Sequence, residues 1–203
     1  HLGVDDDVLA EKVAAGLEKA VKLWIEIPNK YNYQIPANTL PTPKATGEGG
    51  LHGQYNTGGN FSLKDNEALV VTLRKGTARY LGFQLGSNLY IPFEYGRHTS
   101  SLSNSQAVPN SDGSYTYIIS LRDPGVANWL DPVGHPTGVM FVRWQGLQRP
   151  LEAADAPTVT LVDLKHLAQV LPPGFPALSK EARTQQLSRR EMQVRERTPR
   201  YRN

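Results

Sequence analysis

The chain has 203 residues, a formal net charge of +3 and no cysteine. This length fits one domain with appended segments, and the lack of cysteine excludes disulfide bonds and thiolate chemistry. Because no signal peptide and no apolar run of about 18 residues occur, we expect a cytoplasmic protein without a membrane partner. The chain opens on His1 rather than Met, so we also expect a missing upstream domain.

The N-terminal segment has the pattern of an amphipathic helix. Asp5 to Asp7 precede apolar residues that recur every three or four positions, and we expect Pro28 to end the helix. The apolar residues of this stripe are Leu9, Val13, Leu17, Val21 and Trp24. Residues 1–30 therefore form a helical unit, and the proline-rich stretch that follows is predicted to be an extended arm.

Short β-strands dominate the middle of the chain. Alternating apolar residues and turn signals at short intervals favour an antiparallel β-sandwich over alternating strands and helices. The turn Lys75-Gly76 between the first two well-defined strands predicts a hairpin. The predicted strands are Ala68–Leu73, Ala78–Leu85, Leu89–Tyr95, Tyr115–Leu121, Val139–Trp144 and Thr158–Val162. With the arm, the sandwich covers residues 31–175.

Basic residues are concentrated in the C-terminal segment, residues 176–203. Its last 27 residues hold eight lysines or arginines and three glutamates, whereas the rest of the chain is slightly acidic. Ser179 is positioned to cap a helix that runs to about Glu196. Mixed charges are typical of a solvated helix, so we expect a basic helix and no nucleic-acid partner.

Several motifs occur in the same order as in a known family. They are Gly53–Asn56, Glu67–Thr72, Gly82–Gly86, Thr99–Leu102, Asp123–Asp131, Gly134-His135 and Phe141–Gly146. Over roughly residues 36–175 the chain resembles the bacterial family known as domain of unknown function 1214. The resemblance implies a jelly-roll-like antiparallel β-sandwich and no settled activity. The expected fold class is therefore mainly β, with an N-terminal amphipathic helix and a C-terminal basic helix.

The loop from Asp123 to His135 is the first candidate site. A carboxylate near an imidazole is the arrangement that general acid–base catalysis requires, so Asp123, Asp131 and His135 are candidate catalytic residues. Asn128 and Trp129 would contact a ligand there. The alternative is structural, because Asp-Pro-Gly forms turns, asparagine caps backbone groups and tryptophan fills cores.

A second set of candidate ligand-binding residues follows an aromatic strand. Amides, an imidazole and a guanidinium beside aromatic rings suit a carbohydrate or another polar or aromatic molecule. These residues are Tyr95, Arg97, His98, Asn104 and Gln106. Alternatively, this segment is a solvated connection.

Arg143 lies on a predicted strand and is the candidate for binding an anionic group. If its side chain faces inward, it needs a carboxylate partner such as Asp123, and a structural ion pair is then the alternative. The histidines have no metal-ligand spacing, so we expect neither a metal nor another cofactor.

Three hypotheses for function follow from the sequence. The first is a domain that binds a small molecule in a pocket at the strand ends. The second is an acid–base enzyme, a hydrolase or lyase that uses an Asp/His pair. The third is an assembly module whose helices contact another subunit, in a homo-oligomer, or a missing domain.

Overall fold

The computed structural model describes residues 5–47 and 51–197, which form a mainly β fold with helices. Within these residues there are nine strands and three α-helices. The strands are β1 Lys44–Ala45, β2 Gln54–Ser62, β3 Glu67–Leu73, β4 Tyr80–Gly86, β5 Ser101–Ser103, β6 Tyr115–Ser120, β7 Trp129–Leu130, β8 Thr137–Gln145 and β9 Thr158–Asp163. The helices are α1 Asp6–Pro28, α2 Leu167–Val170 and α3 Lys180–Arg197, and a π-helical turn, Asn29–Tyr33, follows α1.

The strands form two sheets. The five-stranded sheet has the order β1-β2-β8-β4-β5, and the four-stranded sheet has the order β7-β6-β3-β9. All pairs are antiparallel except β6 with β7, which run parallel. The predicted mainly β fold is thus confirmed, with one parallel pair that the sequence did not indicate.

One apolar core is shared by the two sheets. Side chains alternate between the two faces of a strand, so every second residue of the central strands points into this core. The five-stranded sheet contributes Phe61, Leu81, Phe83, Leu85, Met140, Val142 and Trp144, and the four-stranded sheet contributes Leu69, Val71, Leu73, Tyr117, Ile119 and Leu130. The two sheets therefore pack face to face as a sandwich. A smaller cluster around Leu167 covers the other face of the four-stranded sheet.

The predicted hairpin between Ala68–Leu73 and Ala78–Leu85 is wrong. β3 pairs with β6 and β9, whereas β4 pairs with β8 and β5. The turn at Lys75-Gly76 instead carries the chain from one sheet to the other. Both strands bury one face in the shared core. Their pattern of apolar residues is therefore the same whether the strands pair within one sheet or face each other from opposite sheets.

One other expectation differs from the structure. Leu89–Tyr95 is a loop rather than a strand, because Tyr90 has a positive φ of 62° and only Pro92 forms a bridge, to Gly86.

Pro28 is the last residue of α1, as expected, and the helical backbone continues from it into the π-helical turn. A proline removes only its own N–H donor, and the N–H of Asn29 again bonds to carbonyls of the helix.

The two long helices differ in their contacts. The Asp5 carboxylate caps α1 by accepting the N–H of Asp7, but the apolar stripe of α1 is exposed, with 61% of Leu17 and 57% of Trp24 accessible. Ser179 Oγ accepts from the N–H of Ala182 at the start of α3. α3 packs on the sandwich through buried arginines, which its sparse apolar residues did not predict.

Candidate functional site

Asp131 pairs with His98, not with His135. Its Oδ2 lies 2.7 Å from His98 Nδ1, and its Oδ1 accepts the N–H of Val133. Val133 has a φ of 55°, a backbone conformation that β-branched residues rarely adopt. An imidazole held at Nδ1 by a carboxylate presents Nε2 outward, and His98 Nε2 lies 4.0 Å from Glu94 Oε2.

His135 is exposed and its ring stacks on Phe93. The ring centroids are 4.5 Å apart and the planes are within 3°. The structure brings His135 into no ion pair with Asp123 or Asp131 among the residues it describes. The described contacts therefore do not bring His135 to either carboxylate, and its catalytic use stays a prediction.

Asp123 holds helix α3 in place. Its two oxygens accept from Nε and Nη2 of Arg183 at 2.9 and 3.1 Å, and Arg183 also donates to the carbonyl of Val126. The Arg183 guanidinium lies 5.1 Å from the ring centre of Trp129, whose indole N–H donates to the Ser120 carbonyl. Asp123 and Trp129 thus make structural contacts, which the sequence analysis gave as the alternative to a catalytic or ligand-binding role for this loop.

Asn128 is also structural. It is buried, has a φ of 53°, and its amide bonds to the backbone of Val108 and to the carbonyl of Thr116. Asn104 has a similar role, because its Oδ1 accepts the N–H of Leu81 at 2.9 Å. Both amides are occupied by backbone groups and neither lines a described cavity, so we assign neither to a ligand.

The outer face of the five-stranded sheet holds a cleft beside α3, which we call the Tyr95 cleft. Its volume is about 560 Å³. Tyr95 and Gln106 were predicted ligand-binding residues, whereas Arg97 and His98 do not line it. The cleft is lined by Tyr80, Tyr95, Ser101, Ser103, Ser105, Gln106, Arg190, Gln193, Val194 and Arg197.

The walls of the Tyr95 cleft are fixed by two contacts. The Tyr80 side chain lies across Gly82 and occupies the space that a side chain at position 82 would need. A Cβ atom added to Gly82 would be too close to the Tyr80 hydroxyl. Arg190, from α3, donates to the Tyr95 carbonyl and to Ser101 Oγ. Burial lowers the pKa of Arg190 from its ordinary value, although an arginine stays charged near neutral pH. Tyr95 and Gln106 are the lining residues that the sequence predicted, whereas those from α3 were not expected there.

Arg143 lies on the same outer face, but in a second cavity, which we call the arm groove. This groove has a volume of about 610 Å³ and lies between the sheet and the arm of residues 34–47. Arg143 is exposed, so the condition for an ion pair with Asp123, an inward-facing side chain, does not hold. Asp123 bonds to Arg183 instead.

The described residues give no support for a metal or a membrane segment. Across residues 5–47 and 51–197, no three side chains of His, Asp or Glu gather as a metal would require. In the same ranges, no helix has both the length and the apolar character needed to cross a bilayer.

Fold and cavities together define a two-sheet β domain with two polar cavities on one sheet face. No protein-family model matches the chain, and no curated protein does. The chain is similar to the solved structure of an uncharacterised protein from Burkholderia cenocepacia, with 30% identity over 72% of this chain and a TM-score of 0.63. It spans 40% of the length of that protein. A protein from Vibrio parahaemolyticus shares 15% identity over 53% of this chain and 31% of its own, with a TM-score of 0.41, too low to support an argument.

Proposed function

We propose that this domain binds a small polar molecule rich in hydroxyl groups, such as a carbohydrate, in the Tyr95 cleft. The observation that carries the proposal is the pairing of two exposed tyrosine rings with a row of hydroxyl and amide groups. Carbohydrate rings stack on aromatic faces while amides and hydroxyls orient their oxygens. The cleft offers both kinds of contact on one wall.

The polar row is ordered before any ligand binds. Ser103 Oγ lies 2.8 Å from Ser105 Oγ and donates to Gln106 Oε1 at 3.2 Å. The N–H of Ser103 also donates to Gln106 Oε1. Groups held in place by such bonds lose little conformational entropy on binding, which favours recognition.

The test is a titration of the protein with neutral hexoses and disaccharides, followed by saturation-transfer NMR and calorimetry. Tyr95→Ala removes one ring of the cleft, and we expect affinity to fall about 5- to 13-fold, since one aromatic contact contributes about 1–1.5 kcal/mol beyond area. Tyr33→Ala is the matched control, because Tyr33 is similarly exposed and lies outside the cleft. Equal losses in both variants, or no binding by the wild type, would contradict the proposal.

We further propose that the sandwich is of the jelly-roll type and that the chain is a member of the family of domain of unknown function 1214. The order of the shared motifs over roughly residues 36–175 supports membership. The face-to-face sheets with one common core support the sandwich part of that description.

An acid–base enzyme is a second candidate, now built on His98 and Asp131. The 2.7 Å contact between them and the strained Val133 beside them favour it, because backbone strain tends to collect at functional sites. A hydrolase or lyase of this kind would lose activity about 100-fold or more in His98→Asn, since a general base contributes about 10²–10⁴-fold. Screening hydrolase and lyase substrates with wild type and His98→Asn tests it, and activity that survives the change would exclude the pair.

An assembly role is a third candidate, favoured by the exposed stripe of α1. Large apolar side chains left exposed along one helix face are typical of an interaction surface. A second copy of this chain can cover the stripe by antiparallel helix pairing. Light scattering of wild type and Leu17→Glu tests this, and a monomeric wild type would contradict it.

A further inference from the structure

We propose that the arm groove is a second ligand site, which binds a small organic anion with a carboxylate or phosphate group and an aromatic or aliphatic body. Arg143 and Lys44 hold the anionic group, and the apolar wall formed by Tyr90, Phe141 and Pro41 holds the body. The proposal is independent of the Tyr95 cleft, because none of the residues that the structure describes lines both cavities.

The charge of the groove is the first argument. Lys30, Lys44 and Arg143 line it, and no aspartate or glutamate does among the residues that the structure describes. Lys44 and Arg143 are exposed and form no ion pair within residues 5–47 and 51–197. Lys44 and Arg143 repel each other across the cavity until an anion enters, so the field of the groove favours a negatively charged ligand.

The strand register brings these groups onto one line. Lys44 on β1 is opposite Asn56 on β2, Asn56 is opposite Arg143 on β8, and Arg143 is opposite Gly82 on β4. Cross-strand partners point to the same face of a sheet, with Cβ atoms about 5 Å apart. Lys44 and Arg143 are therefore about 10 Å apart at the backbone, two strand spacings, which their long side chains span. The Asn56 amide lies between them as a further donor.

The apolar wall is rigid. The rings of Tyr90 and Phe141 are 4.8 Å apart, and Tyr90 adopts its positive φ in making this contact. The Tyr90 hydroxyl accepts from Asn32 Nδ2 at 2.6 Å, which ties the ring to the turn after α1. An aromatic surface fixed in this way can hold the body of a ligand with little loss of entropy.

The arm is attached to β2 along its length, so the groove exists without a ligand. Asn60 Nδ2 donates to the carbonyls of Asn32 and Ile35, and Thr57 Oγ1 donates to the Pro41 carbonyl. The volume of about 610 Å³ falls in the range of roughly 300–1,000 Å³ that small-molecule sites occupy. The volume, the preformed walls and the charge of the groove therefore all favour a small anionic ligand over a polymer.

The experiment titrates the whole 203-residue chain with three probes of the same shape: benzoate, phenyl phosphate and benzamide. At low salt we expect both anions to bind more tightly than neutral benzamide, and added salt to weaken only the anions. The stronger of the two anions identifies a carboxylate or a phosphate site. Calorimetry or ligand-observed NMR measures each dissociation constant.

Arg143→Gln is the decisive variant. We expect it to weaken both anions about 10- to 100-fold, because a charge-assisted hydrogen bond to a guanidinium is lost, and to leave benzamide unchanged. Arg122→Gln is the matched control, since Arg122 is an exposed arginine outside the groove. Tyr95→Ala should leave the binding of the anions unchanged. Circular dichroism confirms that each variant is folded.

Three results would overturn the proposal. If benzamide binds as tightly as benzoate and phenyl phosphate, charge does not select the ligand. If Arg143→Gln and Arg122→Gln change anion binding equally, the effect comes from net charge and not from the groove. A loss of anion binding in Tyr95→Ala would show that the anions use the other cleft.

Discussion

Replacing Arg183 tests whether α3 is held to the sandwich by the clamp with Asp123. Arg183→Met keeps much of the side-chain length and removes the guanidinium. The change breaks two bonds to Asp123 at 2.9 and 3.1 Å, one to the Val126 carbonyl at 2.6 Å, and the contact with the Trp129 ring. All of these join α3 to the segment just before β7.

The magnitude follows from the burial of the two partners. Removing one member of a fully buried ion pair costs about 3–5 kcal/mol. The Arg183 side chain is 6% exposed but that of Asp123 is 33% exposed, so the freed carboxylate regains water. We therefore expect a loss of about 2–4 kcal/mol in the free energy of unfolding. For a chain of this length, that lowers the melting temperature by about 5–15 °C.

Urea unfolding, followed by circular dichroism, measures the loss. Asp123→Asn leaves the Arg183 bond to Val126 in place, so its effect should be smaller, about 1–2 kcal/mol. The double variant should lose less than the sum of the two, because the residues share one interaction. A loss below about 0.5 kcal/mol for Arg183→Met would refute the clamp.

Two further predictions concern titrating groups. Burial raises the pKa of Tyr117, whose hydroxyl has no partner among the described residues. Tyr117→Phe should therefore keep or gain stability, by up to about 1–3 kcal/mol. It should also resist alkali better than wild type, because above about pH 10 the tyrosine hydroxyl ionises in the unfolded chain while burial keeps it neutral in the fold, which favours unfolding of the wild type. A clear loss in urea unfolding would contradict this. The hydroxyl and N–H of Ser114, with Arg74, lower the pKa of Asp112. The Asp112 carboxylate thus stabilises the fold at pH values above its ordinary pKa of about 3.9, and this contribution is lost as the pH falls through the lowered pKa. We expect Asp112→Asn to reduce the dependence of the unfolding free energy on pH in the acid range. An unchanged dependence would exclude the effect.

The sequence predicted most strands but not the pairing between them. β6 and β8 lie almost where the apolar residues and turn signals place them, although β6 is buried on both faces and β8 mainly on one. The pairing of β3 with β6 and β9 depends on contacts far apart in the chain, which a local pattern does not encode. The two-residue strand β7 is too short to leave a periodic signal.

The candidate site was predicted only in part, because some of its contacts join residues that are far apart in the chain. Tyr95, Gln106 and Arg143 do line cavities: Arg143 occupies an exposed position of β8, whereas Tyr95 and Gln106 lie in the loops on either side of β5. The partner of Asp131 was missed, since His98 is 33 residues away and reaches it only through the fold. Arg183, in the basic C-terminal helix, was interpreted as a solvated charge although it is buried.

The central claim is that the outer face of the five-stranded sheet binds a small molecule in the Tyr95 cleft. The most direct measurement is backbone amide NMR of the protein titrated with the tightest-binding saccharide. We predict chemical-shift changes at Ser101, Ser103 and Gln106 and none at Val162 on the opposite sheet. Changes that concentrate on the four-stranded sheet, or spread evenly over the domain, would contradict it.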